Sequence, residues 1–280
     1  MRNLLYSLAL VALVYVLASV LSGSWLAGAI PGLIAGSVLY FVLARRSFKQ
    51  FETLATGAMA TLQGAQQDPS RVDAAKQVLL DGLALGKDQF LIAEQIHGQV
   101  GQLAYMQGRN LEAREHLSQA WSRDWMSMTV LSALDHREGK SADALARMEK
   151  AKAGGSGQAL YWGVRAWIAK DSGDSRLALS FLAEGLEQNK TSAPLTTWRD
   201  ALANAKDLDL MAFGAQWFQF FPDHAQRLRP DQQMRLMQEM GQTPPTRPAA
   251  NLPPEPQPNR AARRAKGKAE PGPQLPHPRR

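Results

Sequence analysis

The chain has 280 residues, a formal charge of +7 and no cysteine. The lack of cysteine excludes a disulfide scaffold, cysteine-ligated zinc and a thiol nucleophile. The positive charge collects at the two ends, at Arg2, Arg45, Arg46 and Lys49 and again after Gly241. Residues 51–240 are mildly acidic, so the basic balance does not argue for a nucleic-acid-binding fold.

The first elements are two apolar stretches, Leu4–Leu21 and Trp25–Leu43, separated by Ser22, Gly23 and Ser24 and free of charge. Each would span roughly 27–29 Å as a helix, close to the hydrocarbon thickness of a bilayer. Neither has the polar face of a buried core helix. A signal peptide with a site at Ala27-Gly28-Ala29 is the rival reading, but a second full-length apolar stretch comes after the first. Residues 1–44 are therefore read as a transmembrane helical hairpin. Its flanking charges place both of its ends, and the chain beyond residue 44, in the cytoplasm. The high Ala, Gly and Arg usage suggests a bacterial inner membrane.

Gly28, Gly32 and Gly36 recur every four residues along the second stretch. Small residues let helix backbones approach closely in lipid. The stripe has two readings, packing against the first helix of the same hairpin and a seam between copies of the chain.

From residue 45 onward the periodicity is helical, and no convincing alternating strand is found. Residues 45–93 are read as a juxtamembrane helix and a degenerate repeat. One phrase then occurs three times, as GRNLEAREHLSQA from Gly108, GKSADALARMEKA from Gly139 and GDSRLALSFLAEG from Gly173. Gly opens each phrase where a turn between helices needs positive φ or tight reversal. Small residues stand at the sixth and thirteenth places, with Leu117, Met148 and Leu182 between them as core residues. Gly185, where the other copies have Ala, marks a position of close helix contact. Gly154-Gly155-Ser156-Gly157 reads as a stretched connection, with a hinge as the alternative.

The Gly-to-Gly spacings are 31 and 34 residues. This pattern resembles the tetratricopeptide repeat family over 94–190. Val100-Gly101 and Trp162 stand at positions where the family favours Leu-Gly and Trp. His97, Met128, Ser132, Arg165 and Ala166 depart from it, and no copy ends in the usual Pro. The resemblance implies an all-α architecture, with helical hairpins stacked in a short solenoid behind the membrane hairpin. It also implies that the leading helix of each repeat lines a concave, partner-binding groove. By register with the family, Gln95, Gln102, Tyr105, Thr129, Ala133, His136, Trp167 and Lys170 face that groove. The set of Lys, Asn and Arg by which some members grip a terminal carboxylate is missing, so a neutral or mixed peptide or helix surface is the expected partner.

Residues 191–241 are read as a degenerate capping repeat and a short helix. PLTTWRDALANAK and LDLMAFGAQWFQFF form its last helix pair. Capping of the core and partner docking are both open to its aromatic residues. RPDQQMRLMQEMG comes next as a helix that either folds back or docks a partner through Met234, Met237 and Met240. Residues 242–280 are rich in proline and poor in large apolar residues, and are read as disordered. Arg260, Arg263, Arg264, Lys266 and Lys268 make this tail basic. It is either solvated or in contact with anionic lipid; nucleic acid is the weaker alternative, since no folded module for it is present.

Chemistry is not evident. Gly139-Lys140-Ser141 lacks the earlier glycine of a phosphate loop, where Leu134 stands. Gly154-Gly155-Ser156 lacks the second glycine of a nucleophile elbow, where Gln158 stands. Asn189-Lys190-Thr191 is a glycosylation triplet by letters only. The five histidines form no metal spacing, and His97 and His116 read as packing or surface residues. The expectation is a membrane-tethered protein–protein interaction scaffold with no cofactor and no enzymatic activity. The alternatives are a structural subunit assembled through the hairpin, including a homo-oligomer, and a tail-mediated tether.

Overall fold

A computed structural model describes residues 1–63, 65, 68 and 70–241 of the chain. The tail 242–280, with its five named basic residues and its expected disorder, lies outside the described residues. The described residues form eleven α-helices and three short 3-10 segments, and no strand.

Helices α1 (Arg2–Ser22) and α2 (Ala29–Leu62) form the N-terminal hairpin, and α1 ends at Gly23 with φ 67°. Both are long and apolar enough to cross a membrane. Leu5, Leu8, Leu13, Leu17, Ile34 and Val38 are each more than half exposed. The glycine stripe faces inward. A Cβ would collide with Tyr15 O at Gly28 and with Val11 Cγ2 at Gly36, and would lie 2.9 Å from Val11 O at Gly32. Within the chain, close contact with α1 occupies these glycines.

α2 continues without a break past the apolar stretch, roughly 51 Å in all. Its far half pairs with α3 (Ser70–Asp81), which leads into a 3-10 segment (Gly82–Lys87). The two halves are tied at a polar junction. The Asn3 side chain donates to Ser47 Oγ at 3.0 Å and to Gln89 Oε1 at 3.3 Å, and Arg2 pairs with Asp88 at 2.5 Å. Asn3, Ser47 and Gln89 are buried, so their hydrogen bonds to one another offset lost hydration.

Three hairpins come next: α4 (Ile92–Met106) with α5 (Asn110–Ser118), α6 (Trp125–Arg137) with α7 (Ser141–Gly155), and α8 (Ala159–Asp171) with α9 (Ser175–Gln188). Gly108, Gly139 and Gly173 have φ of 73°, 78° and 92°. At each, two backbone hydrogen bonds close the helix end in the same way, as in Gly108 N to Tyr105 O and Arg109 N to Ala104 O. These are Schellman motifs, in which a left-handed residue satisfies the last carbonyls. The geometry recurs a fourth time after α10 (Ala193–Ala203), with Ala205 at φ 52° and Lys206 N donating to Ala201 O. The repeat therefore continues one helix further than the three phrases.

The repeated residues pack as their spacing requires. Ala113, Ala144, Ala178, Leu117, Met148 and Leu182 are fully buried. A Cβ on Gly185 would lie 2.7 Å from Trp162 Cβ, so α8 and α9 touch there as closely as expected. Ala120 departs from the pattern. α5 stops at Ser118 because the chain turns at Trp121–Asp124 to cap α6, with Asp124 accepting from Met126 N.

Gly154 and Gly155 are not a loose connection. Both belong to α7, where a Cβ would lie 2.5 Å from Arg123 O and 2.6 Å from the Tyr161 ring. Arg165, at a position where the family has Leu, is buried with its guanidinium 4.1 Å from the Phe181 ring centroid and paired with Glu149 at 2.6 Å. Stacking on aromatic faces suits a guanidinium, which is less strongly hydrated than an ammonium.

The final stretch differs from the expected helix pair. α10 forms, but its partner is irregular, with 3-10 segments at Gly214–Gln219 and Pro222–Arg227. Gly214 at φ 59° and Pro222, which has no N–H, interrupt the helical ladder. α11 (Pro230–Glu239) folds back onto this stretch. Leu236 is buried and the Glu239 carboxylate accepts from Ala215 N at 2.9 Å.

Candidate functional site: the inner face of the hairpin stack

The leading helices α4, α6, α8 and α10 present one face, and the eight residues assigned to a groove lie on the first three of them. That face is not open along its length. Segment 208–228 lies across it and fills it from α10 back to the end of α4.

At the α10 end, Phe213 sits on bare backbone. A Cβ on Gly163 of α8 would be 2.5 Å from its ring. Trp198 Nε1 donates to Asp209 O at 2.7 Å. Trp167 then meets four rings, with centroids at 6.2 Å for Trp198, 5.6 Å for Trp217, 6.3 Å for Phe221 and 4.7 Å for His224. Two of these pairs, with Trp217 and His224, are edge-on, an arrangement that aromatic quadrupoles favour. Trp217 Nε1 donates to His224 Nδ1 at 3.1 Å, which fixes the imidazole as the Nε2–H tautomer. Burial pushes the His224 pKa down to about 4.

Farther along, the Tyr105 hydroxyl donates to Phe220 O at 2.5 Å, and burial holds its pKa up at about 12. Arg137 lies over the Tyr105 ring, 5.6 Å from its centroid, and pairs with Asp223 at 2.8 Å. His136 Nε2 is 3.0 Å from the Asp171 carboxylate and its Nδ1 is 2.8 Å from Ser141 Oγ. A carboxylate only accepts, so Nε2 carries a proton and donates to Asp171. This Ser141–His136–Asp171 chain of hydrogen bonds joins three helices. Of the eight groove residues, only Gln102 borders one of the cavities of 530–770 Å³ found among the described residues.

The eight groove residues therefore divide. Tyr105 and Trp167 are buried by the chain's own segment, and Thr129 and Ala133 are buried in the stack. The Thr129 hydroxyl is turned back to Trp125 O at 2.6 Å. A partner can reach Tyr105 and Trp167 only by displacing the segment. His136 and Lys170 lie at its edge, half-buried, with Lys170 Nζ 5.4 Å from the Trp167 ring centroid. Gln102 lies beyond it, in the wall of a cavity shared with α2, and donates to Ser127 Oγ at 2.9 Å, while Gln95 is half-buried on α4.

Elsewhere, His97 and His116 meet with Nδ1 atoms 2.9 Å apart, one donating and one accepting. Burial and the neighbouring His116 push the His97 pKa down. No group of three metal-type side chains occurs among the described residues.

Sequence spacing did not bring out Gly163, Arg137, Trp198, Asp223 or His224 as parts of this face. The first gave a signal only in hindsight, as a small residue at a leading-helix position. In comparisons with known proteins, no family model matches the chain, and no curated protein or solved structure matches it significantly.

Proposed function

We propose that the chain is a membrane-anchored interaction scaffold of tetratricopeptide type, with its hairpin stack on the cytoplasmic side of a bacterial inner membrane. Its inner face recognises an aromatic segment, and its own residues 208–228 hold that face until a partner replaces them. The observation that carries this reading is the set of contacts from the leading helices to the segment: Tyr105 to Phe220 O, Trp167 to Trp217 and His224, and Arg137 to Asp223. They describe what the face accepts, namely stacked aromatic rings, a free backbone carbonyl and one carboxylate. A protein partner of that chemistry fits, and no catalytic role is assigned.

The test uses full-length protein in lipid nanodiscs and a labelled peptide of residues 208–228. In a Trp217→Ala variant, whose own segment is weakened, the wild-type peptide binds. A peptide carrying the same substitution does not. Failure of the wild-type peptide to bind that variant, with its helical circular dichroism intact, rejects an exchangeable inner face.

Assembly through the membrane hairpin is the second reading. Because Gly28, Gly32 and Gly36 pack within the chain, it would have to use outward residues such as Leu8, Ile34 and Val38. A tether through Arg260, Arg263, Arg264, Lys266 and Lys268, to anionic lipid or less readily to nucleic acid, is separated from both by deleting 242–280. Only that tether depends steeply on salt.

A further inference from the structure

The loop that joins the 3-10 segment Gly82–Lys87 to α4 is tied to the hairpin at a defined depth. Asn3 N, one residue before the apolar stretch of α1, donates to Asp88 O at 3.1 Å, and the N-terminal amine of Met1 donates to Lys87 O. On the other helix, Gln89 Nε2 donates to the Tyr40 hydroxyl at 3.1 Å, and Tyr40 lies one turn before the apolar stretch of α2 ends at Leu43. Both helices thus set the loop at the level where their apolar stretches end.

What the loop presents at that level is an aromatic ring. Gln89 is buried, while the neighbouring Phe90 is 52% exposed. Leu91 holds φ 70° as the chain turns into α4. That left-handed conformation penalises a residue with a Cβ, and strain of this kind clusters at functional sites. Asp88, the acid of the loop, is paired with Arg2, which leaves the exposed Lys87 as the loop's own cation. Arg45, Arg46 and Lys49 are exposed just past Leu43 on α2.

We infer that the loop Lys87–Leu91 is a third contact with the membrane, in which the Phe90 ring enters the headgroup–acyl boundary of a phospholipid bilayer and Lys87 faces the phosphates. Aromatic rings favour that boundary, and cations beside it are drawn to anionic headgroups. The inference rests on the reading of residues 1–44 as a membrane-spanning hairpin, because the hairpin carries the loop at the surface of whatever bilayer it spans. The contact sets the tilt of the stack. α4 starts at this loop, and Met106 at its far end lines the same cavity as Leu62, roughly 28 Å along α2 from Leu43. The first repeat is therefore held to the bilayer at two points, α2 and Phe90, and stands away from it along α4.

The test uses the full-length chain, which has no cysteine of its own, in nanodiscs of phosphatidylcholine and phosphatidylglycerol. A nitroxide is attached to one cysteine at a time, in Leu13→Cys, Phe90→Cys and Leu111→Cys. All three positions are exposed; Leu13 is near the middle of α1, and Leu111 follows the far end of α4. Collisions with oxygen, which concentrates in lipid, are compared with those of a water-soluble nickel chelate. The oxygen-to-nickel ratio should be highest at residue 13, and about fivefold higher at residue 90 than at residue 111, as a side chain sunk into the boundary requires. On the unsubstituted chain, a phosphatidylcholine with a diazirine near its glycerol should label Phe90 or Leu91 and spare Leu111. A ratio at residue 90 no higher than at residue 111, or no photolabel at Phe90 and Leu91, overturns the contact while a lipid-exposed residue 13 leaves the membrane anchor standing. A ratio at residue 13 as low as at residue 111 overturns the anchor itself, and the contact with it.

Discussion

The inner face of the hairpin stack has two ends with opposite character. Toward α10 it is dry, with Trp198 and Trp217 fully buried and both of their indole N–H groups hydrogen bonded. Toward α2 it is open, and Met59 and Met106 are 66% and 74% exposed. The same kind of surface, the leading-helix face of stacked hairpins, is covered by the chain at one end and left open at the other among the described residues. A stacked repeat cannot bury its own apolar face alone, and something must cover it at each end. Here the covering segment starts beyond α10 and reaches back only to Tyr105.

Substitutions at the two ends should separate them most sharply. Trp217→Ala removes a fully buried indole that touches Trp167, Trp198 and Phe213. It should cost about 3–5 kcal/mol in chemical denaturation. Met106→Ala at the open end should change stability by less than about 0.5 kcal/mol. Equal losses would remove the distinction between the ends.

Acid should act on the dry end next. The folded-state pKa of His224 is depressed to about 4 from its ordinary 6.5. The unfolded chain therefore binds the extra proton first, and stability rises with pH across that window. Its contribution is complete above about pH 7 and is lost as pH falls from 6.5 to 4, by up to about 3 kcal/mol. His97, also depressed, acts in the same direction. A His224→Asn variant should show a shallower acid slope in thermal melts, and an unchanged slope would remove His224 from the account.

The smallest effect is at the fourth Schellman turn. Ala205 holds φ 52° where the three earlier turns have Gly. Ala205→Gly should stabilise by about 0.5–1 kcal/mol, because the left-handed region penalises a Cβ. A destabilised variant would mean that the methyl packs more than it strains.

These elements also show where sequence stops being informative. The turns at Gly108, Gly139 and Gly173 and the close contact at Gly185 were legible because each depends on residues within one repeat. Gly154 and Gly155 misled, since glycines that let α7 approach Arg123 O and Tyr161 look in sequence like a linker. The irregular path of 208–228 was hidden because Trp217, Phe218, Phe220 and Phe221 are spaced as on a helix face. Contacts over long separations, such as Tyr105 with Phe220, decided otherwise. The His97–His116 pair was hidden for a similar reason, since helix packing rather than spacing brings it together.

The central claim, that segment 208–228 occupies the inner face, can be tested directly because the chain has no cysteine. Cysteines placed at Arg137 and Asp223, whose side chains pair in the structure, are the only thiols a short bis-maleimide can join. The account predicts rapid cross-linking within one chain at neutral pH, suppressed by adding Trp217→Ala. Cross-links only between chains, or a rate indifferent to Trp217, would contradict it.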